Sequence, residues 1–139
     1  MKLSRVLIII LLLITVSLYG CASQAELSDQ ILEDIGIQEA FDLIQRNQGN
    51  TAFVIIDVRT PEEFNEGHIE NAVNIDFNSE TFKEDLDKLD KNKAYFIYCR
   101  SGNRSGRAIP VMKKLGFKEV YNLSAGIQEW IAEGLPVVK

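Results

Sequence analysis

Two continuous apolar runs constrain the fold of this 139-residue chain more than any other feature of its sequence. The first covers residues 52–56 and ends at Asp57, and the second covers residues 94–98 and ends at Cys99. Continuous apolar runs are typical of parallel strands, because helices cover both faces of a parallel sheet. The length is that of one domain. Asp57 and Cys99 are expected at the carboxyl edge of the sheet, where sites form in folds of this kind.

Helical patterns separate these strands. Ile37, Phe41 and Ile44 have helical spacing, and Thr60 with Glu63 has the pattern of a capping box. We predict further helices over residues 79–89, 105–115 and 127–132, and short strands over residues 72–75 and 120–123. Pro110 falls inside the segment 105–115, so we expect a kink or a tight first turn there. The alternation predicts an α/β fold with a mostly parallel sheet and helices on both faces.

The first twenty residues have the pattern of an export signal. Lys2 and Arg5 precede an apolar stretch over residues 6–18, which is shorter than the roughly 20 residues of a membrane-spanning helix. The stretch closes with Leu18-Tyr19-Gly20-Cys21, which resembles the lipobox of bacterial lipoproteins. This resemblance implies cleavage before Cys21, lipidation of Cys21 and anchoring to a bacterial membrane on its exported side. Export with cleavage nearby, an uncleaved anchor and a buried core segment are the alternatives.

Removal of this segment makes the chain more acidic. The whole chain has a net charge of −5, and Lys2 and Arg5 are the charged residues of the segment, so the remainder carries −7. Such a charge argues against general nucleic-acid binding, which needs a basic surface. We predict residues 1–20 to be a signal peptide, residues 21–35 a lipid-attached tether and residues 36–139 the folded domain. A short N-terminal helix packed on the domain is the alternative to the tether.

The loop after the second strand has the composition of an activated nucleophile beside an anion site. It reads Cys99-Arg100-Ser101-Gly102-Asn103-Arg104-Ser105. Inward-facing backbone N–H groups and the following helix N-terminus favour anions, and they lower the pKa of a nearby thiol. The alternatives are a buried core thiol at Cys99, solvated charges at Arg100 and Arg104, and a turn residue and helix cap at Ser101 and Ser105.

The same loop resembles the active-site loop of the rhodanese-like sulfurtransferases. Seven further blocks, in the order of that family, extend the resemblance over residues 37–138: Asp57-Val58-Arg59, Pro61-Glu62-Glu63-Phe64, Gly67-His68-Ile69, Ala72-Val73-Asn74-Ile75, Leu115-Gly116-Phe117, Tyr121-Asn122-Leu123 and Gly126-Ile127-Gln128-Glu129-Trp130. The resemblance implies one rhodanese-like domain with about five parallel strands. It also implies transfer of a sulfane sulfur from a thiosulfate-like or persulfide donor to a thiol or cyanide.

The resemblance implies roles for the loop residues. Cys99 is the expected nucleophile that carries sulfur as a persulfide, and Arg104 is the expected second catalytic residue. Arg100 and Arg104 would bind the sulfonate end of the donor. The remaining substrate contacts would come from the backbone that cradles the outer sulfur, at Ser101, Gly102, Asn103 and Ser105.

Three residues outside the loop have expected roles. Asp57 is expected to belong to the substrate-binding residues and to orient groups beneath the loop, with an ion pair to Arg59 or to a loop arginine as the alternative. His68 is the only histidine and is expected to be structural, with a catalytic base as the alternative. Trp130 is expected in the core. We expect no cofactor and no metal ion, because the chain offers no cluster of metal ligands.

Two other functions remain open from the sequence. One is a weakly active or non-enzymatic sulfur-relay or binding module, which would work with a redox or sulfur-relay protein partner. The other is a cysteine phosphatase or arsenate reductase. Four residues separate Cys99 from Arg104, whereas tyrosine phosphatases have five, and Cys21 is expected to be lipidated rather than available as a resolving thiol.

Overall fold

The computed structural model describes residues 30–139, in which strands and helices alternate. The strands are β1 (Ile31–Ile35), β2 (Phe53–Asp57), β3 (Ala72–Asn74), β4 (Ala94–Tyr98) and β5 (Glu119–Leu123). The helices are α1 (Ile37–Arg46), α2 (Pro61–Glu66), α3 (Phe82–Asp87), α4 (Asn103–Lys114) and α5 (Gly126–Ala132). All strand pairs are parallel and the order is β1-β5-β4-β2-β3. The predicted α/β class and five-stranded parallel sheet are confirmed.

The β1 strand corrects the predicted domain boundary. It pairs along its length with β5, from Ile31 opposite Glu119 to Ile35 opposite Leu123. The tether prediction is therefore wrong for residues 31–35, and the helix alternative is wrong there as well. Because β1 lies at the edge of the sheet, polar residues suffice on its exposed side, and its sequence lacks the apolar run of the central strands. Residues 1–29, with the predicted signal and Cys21, lie outside the described residues.

The helices differ from the predicted ones mainly at their ends. The helix predicted over residues 79–89 is limited to α3. The helix predicted from residue 105 begins at Asn103 and continues past Pro110 to Lys114. The capping box that begins α2 is confirmed, because the Thr60 hydroxyl accepts the Glu63 N–H at 3.3 Å and the Glu63 carboxylate accepts the Thr60 N–H at 3.1 Å. None of the helices within residues 30–139 is long and apolar enough to cross a membrane.

A hydrophobic core lies on each face of the sheet. Leu86 and Met112 pack on one face, from α3 and α4, while Ala40 and Trp130 pack on the other, from α1 and α5. Trp130 is 1% exposed and its indole N–H donates to the Pro136 carbonyl at 3.0 Å, so the predicted core position is confirmed. Because helices cover both faces of the sheet, only the edges of the sheet are left uncovered by them.

The carboxyl ends of β2 and β4 are neighbours. Asp57, the last residue of β2, lies opposite Tyr98, the last residue of β4. Cys99 follows Tyr98 directly, so Asp57 and Cys99 lie at the same edge of the sheet, as the sequence predicted. The N-terminus of α4 follows four residues later, which places the loop between a strand end and a helix start.

Candidate active site

Cys99 is held at the base of the loop by backbone hydrogen bonds. Its residue is 1% exposed and its thiol is free of any disulfide. The Cys99 carbonyl accepts the Ile127 N–H at 2.9 Å, and the Arg100 carbonyl accepts the Gln128 N–H at 3.1 Å. The first turn of α5 therefore fixes the beginning of the loop.

Two glycines allow the loop to approach the β5–α5 connection closely. Gly102 has a φ of +85°, a left-handed conformation that suits glycine, and a Cβ there would collide with the Ser124 carbonyl. Gly126 has a φ of +71°, and a Cβ there would collide with the Arg100 carbonyl. The connection from Ser124 to Gly126 therefore packs directly against the Cys99 loop and forms part of the site.

Hydrogen-bond donors converge on the Cys99 sulfur. The fully buried Ser105 hydroxyl donates to Sγ at 3.5 Å, and the backbone N–H groups of Ser101, Arg104 and Ser105 add to the stabilisation of the anionic sulfur. Burial by itself raises the pKa of the Cys99 thiol, but the Ser105 hydroxyl and these three amides together lower that pKa below its ordinary value. The loop therefore stabilises an anionic sulfur, on a residue that also packs in the hydrophobic core as the alternative of a buried thiol had it.

The Arg104 guanidinium is bound to a carboxylate. Its Nη1 donates to Glu63 Oε2 at 2.6 Å and its Nη2 donates to Oε1 at 2.8 Å, with both side chains partly buried. The hydrogen bonds from Arg104 lower the pKa of Glu63 to about 2, against the opposing effect of burial. Arg104 is thus neither a solvated surface charge nor free to turn toward a ligand without giving up this pair.

The other loop side chains face solvent. Arg100, Ser101 and Asn103 are exposed, and their side chains form no hydrogen bond or ion pair with any residue in the range 30–139. Asn103 is the first residue of α4, while Gly102 precedes that helix. The structure therefore brings Arg100 and Arg104 to the loop but gives them different surroundings.

Asp57 is fully buried and its carboxylate is bound by Arg59. Its Oδ2 accepts Arg59 Nη2 at 2.7 Å, and its Oδ1 accepts the Arg59 backbone N–H at 2.9 Å. Arg59 also donates to the Gly67 carbonyl at 2.6 Å. These contacts correspond to the ion-pair alternative, because the carboxylate anchors the segment after β2 and makes no hydrogen bond to the Cys99 loop.

The contacts of His68 are structural. Its ring stacks on Phe64 with 3.7 Å between centroids, and its Nδ1 lies 3.0 Å from the Phe64 carbonyl. Its backbone forms a bridge with Val138. Within the part of the chain that the structure describes, no three His, Cys, Asp or Glu side chains lie close enough together to hold a metal ion.

Sequence reasoning missed three contributors to the site. Glu63 was identified only as a capping residue, although it also binds Arg104, which is 41 positions away. Ser124 and Gly126 were given no role, although they lie in the connection that packs against the Cys99 loop. A glycine in the short connection between a strand and a helix is a sequence signal that could have indicated Gly126, whereas nothing in the local sequence pairs Glu63 with Arg104.

Comparison with known proteins places this arrangement in a family. The model of the Rhodanese-like domain matches residues 39–133. The chain therefore belongs to the rhodanese-like family.

Individual relatives agree with the family match. The chain is 33% identical over 96 residues to a sulfurtransferase of Allochromatium vinosum, covering 69% of this chain and 88% of that protein. It is 40% identical over 76 residues to the uncharacterized protein YqhL of Bacillus subtilis, covering 55% of this chain and 59% of that protein. A crystal structure of a rhodanese-related protein from Thermoplasma volcanium has a TM-score of 0.65 at 33% identity, covering 76% of this chain and 97% of that one.

Proposed function

We propose that this protein is a sulfurtransferase that moves a sulfane sulfur from an anionic donor to a thiophilic acceptor through a persulfide on Cys99. The observation that carries the proposal is the convergence of the Ser105 hydroxyl and three backbone N–H groups on the Cys99 sulfur. Relatives named as sulfurtransferases, such as the Allochromatium vinosum protein, support the same class.

The chemistry needs a nucleophile and an anion cradle. The Cys99 thiolate attacks the outer sulfur of a thiosulfate-type donor, the S–S bond of the donor breaks, and sulfite leaves with the bonding electron pair. The new S–S bond places a terminal sulfur anion above Cys99, where the inward-facing amides of the loop stabilise it. Cyanide or a thiolate then attacks this terminal sulfur and releases the Cys99 thiolate unchanged.

No general base is required for this sequence of steps. Because the pKa of the Cys99 thiol is lowered, the thiol ionises to the thiolate without the help of a base. Neither transfer step releases a proton that must be removed. This fits the contacts of His68, which are made with Phe64 and Val138 rather than with the loop.

The small loop favours sulfur over phosphate chemistry. Four residues lie between Cys99 and Arg104, and Gly102 is packed against the Ser124 carbonyl, so the ring of amides cannot widen without losing that contact. A sulfane sulfur is smaller than a tetrahedral phosphate. We therefore rank a phosphatase or arsenate reductase below sulfur transfer.

The proposed site of action is the exported side of a bacterial membrane, with Cys21 as the lipid attachment point. The support is the sequence pattern of residues 1–21. In an oxidising compartment, Cys99 depends on an external thiol or a redox or sulfur-relay protein for discharge, because no second cysteine lies within residues 30–139.

The test is production of thiocyanate from thiosulfate and cyanide by the full-length protein. Wild-type protein is expected to turn over, and Cys99→Ser protein is expected to be inactive while retaining its fold by circular dichroism. A Cys99→Ser variant with full activity would contradict the assignment. Hydrolysis of a phosphate ester without thiocyanate formation would favour the phosphatase alternative instead.

A sulfur-relay module is the second candidate, and the exposed side of the loop favours it. Arg100, Ser101 and Asn103 present side chains to solvent, where a protein partner can contact them. Stoichiometric formation of the Cys99 persulfide with slow discharge to cyanide would indicate a relay role.

A further inference from the structure

We propose that Glu63 determines donor specificity, by holding the Arg104 guanidinium away from the donor and leaving Arg100 as the cation that binds it. This inference rests on the proposed function, because it concerns the donor of that same reaction. It makes Glu63 a positioning residue that acts through Arg104, and Arg100 the donor-binding residue.

The contacts of Glu63 fix it from two sides. Its Oε2 accepts both the Thr60 backbone N–H at 3.1 Å and Arg104 Nη1 at 2.6 Å, while Oε1 accepts Arg104 Nη2 at 2.8 Å. The capping box ties the carboxylate to the first turn of α2, and the bidentate pair then fixes the guanidinium. Arg104 therefore cannot rotate toward a ligand unless Glu63 releases it.

The position of Arg104 explains why this restraint matters. The Glu63 hydrogen bonds and, to a smaller extent, the charge of Cys99 raise the pKa of Arg104, and the Arg104 backbone N–H helps to lower the pKa of the Cys99 thiol. The guanidinium thus lies within the electrostatic field of the reacting sulfur. The Glu63 carboxylate neutralises the charge of the Arg104 guanidinium. The pair therefore attracts an anionic donor only weakly.

Arg100 is the cation left at the loop. It is exposed, and its side chain has no hydrogen bond or ion pair among residues 30–139. A donor therefore meets one unpaired guanidinium and a ring of amides. This arrangement suits donors with a single negative charge, such as organic thiosulfonates or persulfides, better than the dianion thiosulfate.

The decisive variant is Glu63→Gln. Glutamine is the alternative residue of a capping box, so it can still accept the Thr60 N–H and preserve the start of α2. Glu62→Gln is the matched control, because it removes the same charge from the same helical turn, and Glu62 is exposed and forms no ion pair within residues 30–139. A lost interaction with the α2 N-terminus therefore affects both variants alike.

Steady-state kinetics compare thiosulfate with benzenethiosulfonate as donors and cyanide as acceptor. We expect Glu63→Gln to lower the KM for thiosulfate at least about three-fold, and to lower that for the monoanion less, because a freed guanidinium attracts a dianion more strongly. We expect Glu62→Gln to match wild type and Arg100→Ala to raise the KM for thiosulfate. An unchanged or raised KM for thiosulfate in Glu63→Gln, relative to Glu62→Gln, would overturn the proposal.

A second readout does not depend on turnover. The pH dependence of Cys99 alkylation by iodoacetamide is followed by mass spectrometry of the Cys99 peptide. Glu63→Gln is expected to move the midpoint to lower pH than in Glu62→Gln, because a freed cation stabilises the thiolate. If Glu63 has only a structural role, its replacement leaves the amides around Cys99 in place or loosens them, so the midpoint stays unchanged or moves to higher pH, and either result would overturn the inference. Because alkylation needs no donor, it separates failure of this inference from failure of the proposed function.

Discussion

Replacement of Gly102 by alanine tests how tightly the loop must pack. Gly102 and Gly116 have the same φ of +85°, so alanine meets the same backbone strain at both positions. Their surroundings differ, because a Cβ at Gly116 has no atom within 4 Å, whereas a Cβ at Gly102 collides with the Ser124 carbonyl. Gly116→Ala therefore measures the strain alone, and the difference between the variants measures the packing.

The expected magnitudes follow from these contacts. A left-handed conformation costs a residue with a Cβ about 1–2 kcal/mol, which is the whole effect expected for Gly116→Ala. In Gly102→Ala the loop and the β5–α5 connection must also separate. That movement weakens the hydrogen bonds that the Cys99 and Arg100 carbonyls accept at 2.9 and 3.1 Å, each contributing about 1 kcal/mol. We therefore expect a total loss of about 3–4 kcal/mol for Gly102→Ala.

Urea denaturation gives the free energy of unfolding for both variants, and thiocyanate formation gives their activity. Gly116→Ala is expected to keep wild-type kcat/KM, because its strain lies away from the loop. Gly102→Ala is expected to lose most sulfur transfer, since displaced amides no longer converge on Cys99. If Gly102→Ala is no less stable than Gly116→Ala, or retains full activity, the close packing of the loop is not what forms the site.

Further predictions concern the charges at the site. Ser105→Ala removes a donor to the Cys99 thiolate at 3.5 Å, and a loss of about 1 kcal/mol corresponds to about five-fold less thiolate at a pH below the midpoint, measured by thiolate absorbance. Ser101→Ala is the control, because Ser101 donates through its backbone, and an equal effect in both variants would reject the role of the hydroxyl. The pKa of Glu63 is lowered from 4.5 to about 2, so its contribution to stability is present above pH 4.5 and is lost as the pH falls through 2. Wild-type protein should therefore lose more unfolding free energy than Glu63→Gln between pH 5 and pH 2, and equal losses would contradict this linkage.

The central strands and the loop could be predicted because their signals are local. The apolar runs of β2 and β4 lie in consecutive residues, and the carboxyl-edge rule then places Asp57 and Cys99 together. The capping box of α2 is likewise a local pattern, and it is present in the structure. Each of these features depends on neighbours within a few positions of the chain.

The β1 strand and the Glu63–Arg104 pair could not be predicted in this way. Residues 31–35 have too few apolar side chains to indicate a strand, and their conformation depends on pairing with β5, more than eighty residues later. Glu63 and Arg104 meet because α2 and α4 start at the same edge of the sheet. The sequence therefore indicated two loop cations without showing that one of them is already paired.

The mass of full-length protein after treatment with thiosulfate tests the central claim most directly. The account predicts a gain of one sulfur atom, located on the Cys99 peptide, lost on addition of cyanide and absent from Cys99→Ser protein. Wild-type protein that gains no sulfur, or that gains it at a residue other than Cys99, would contradict the account.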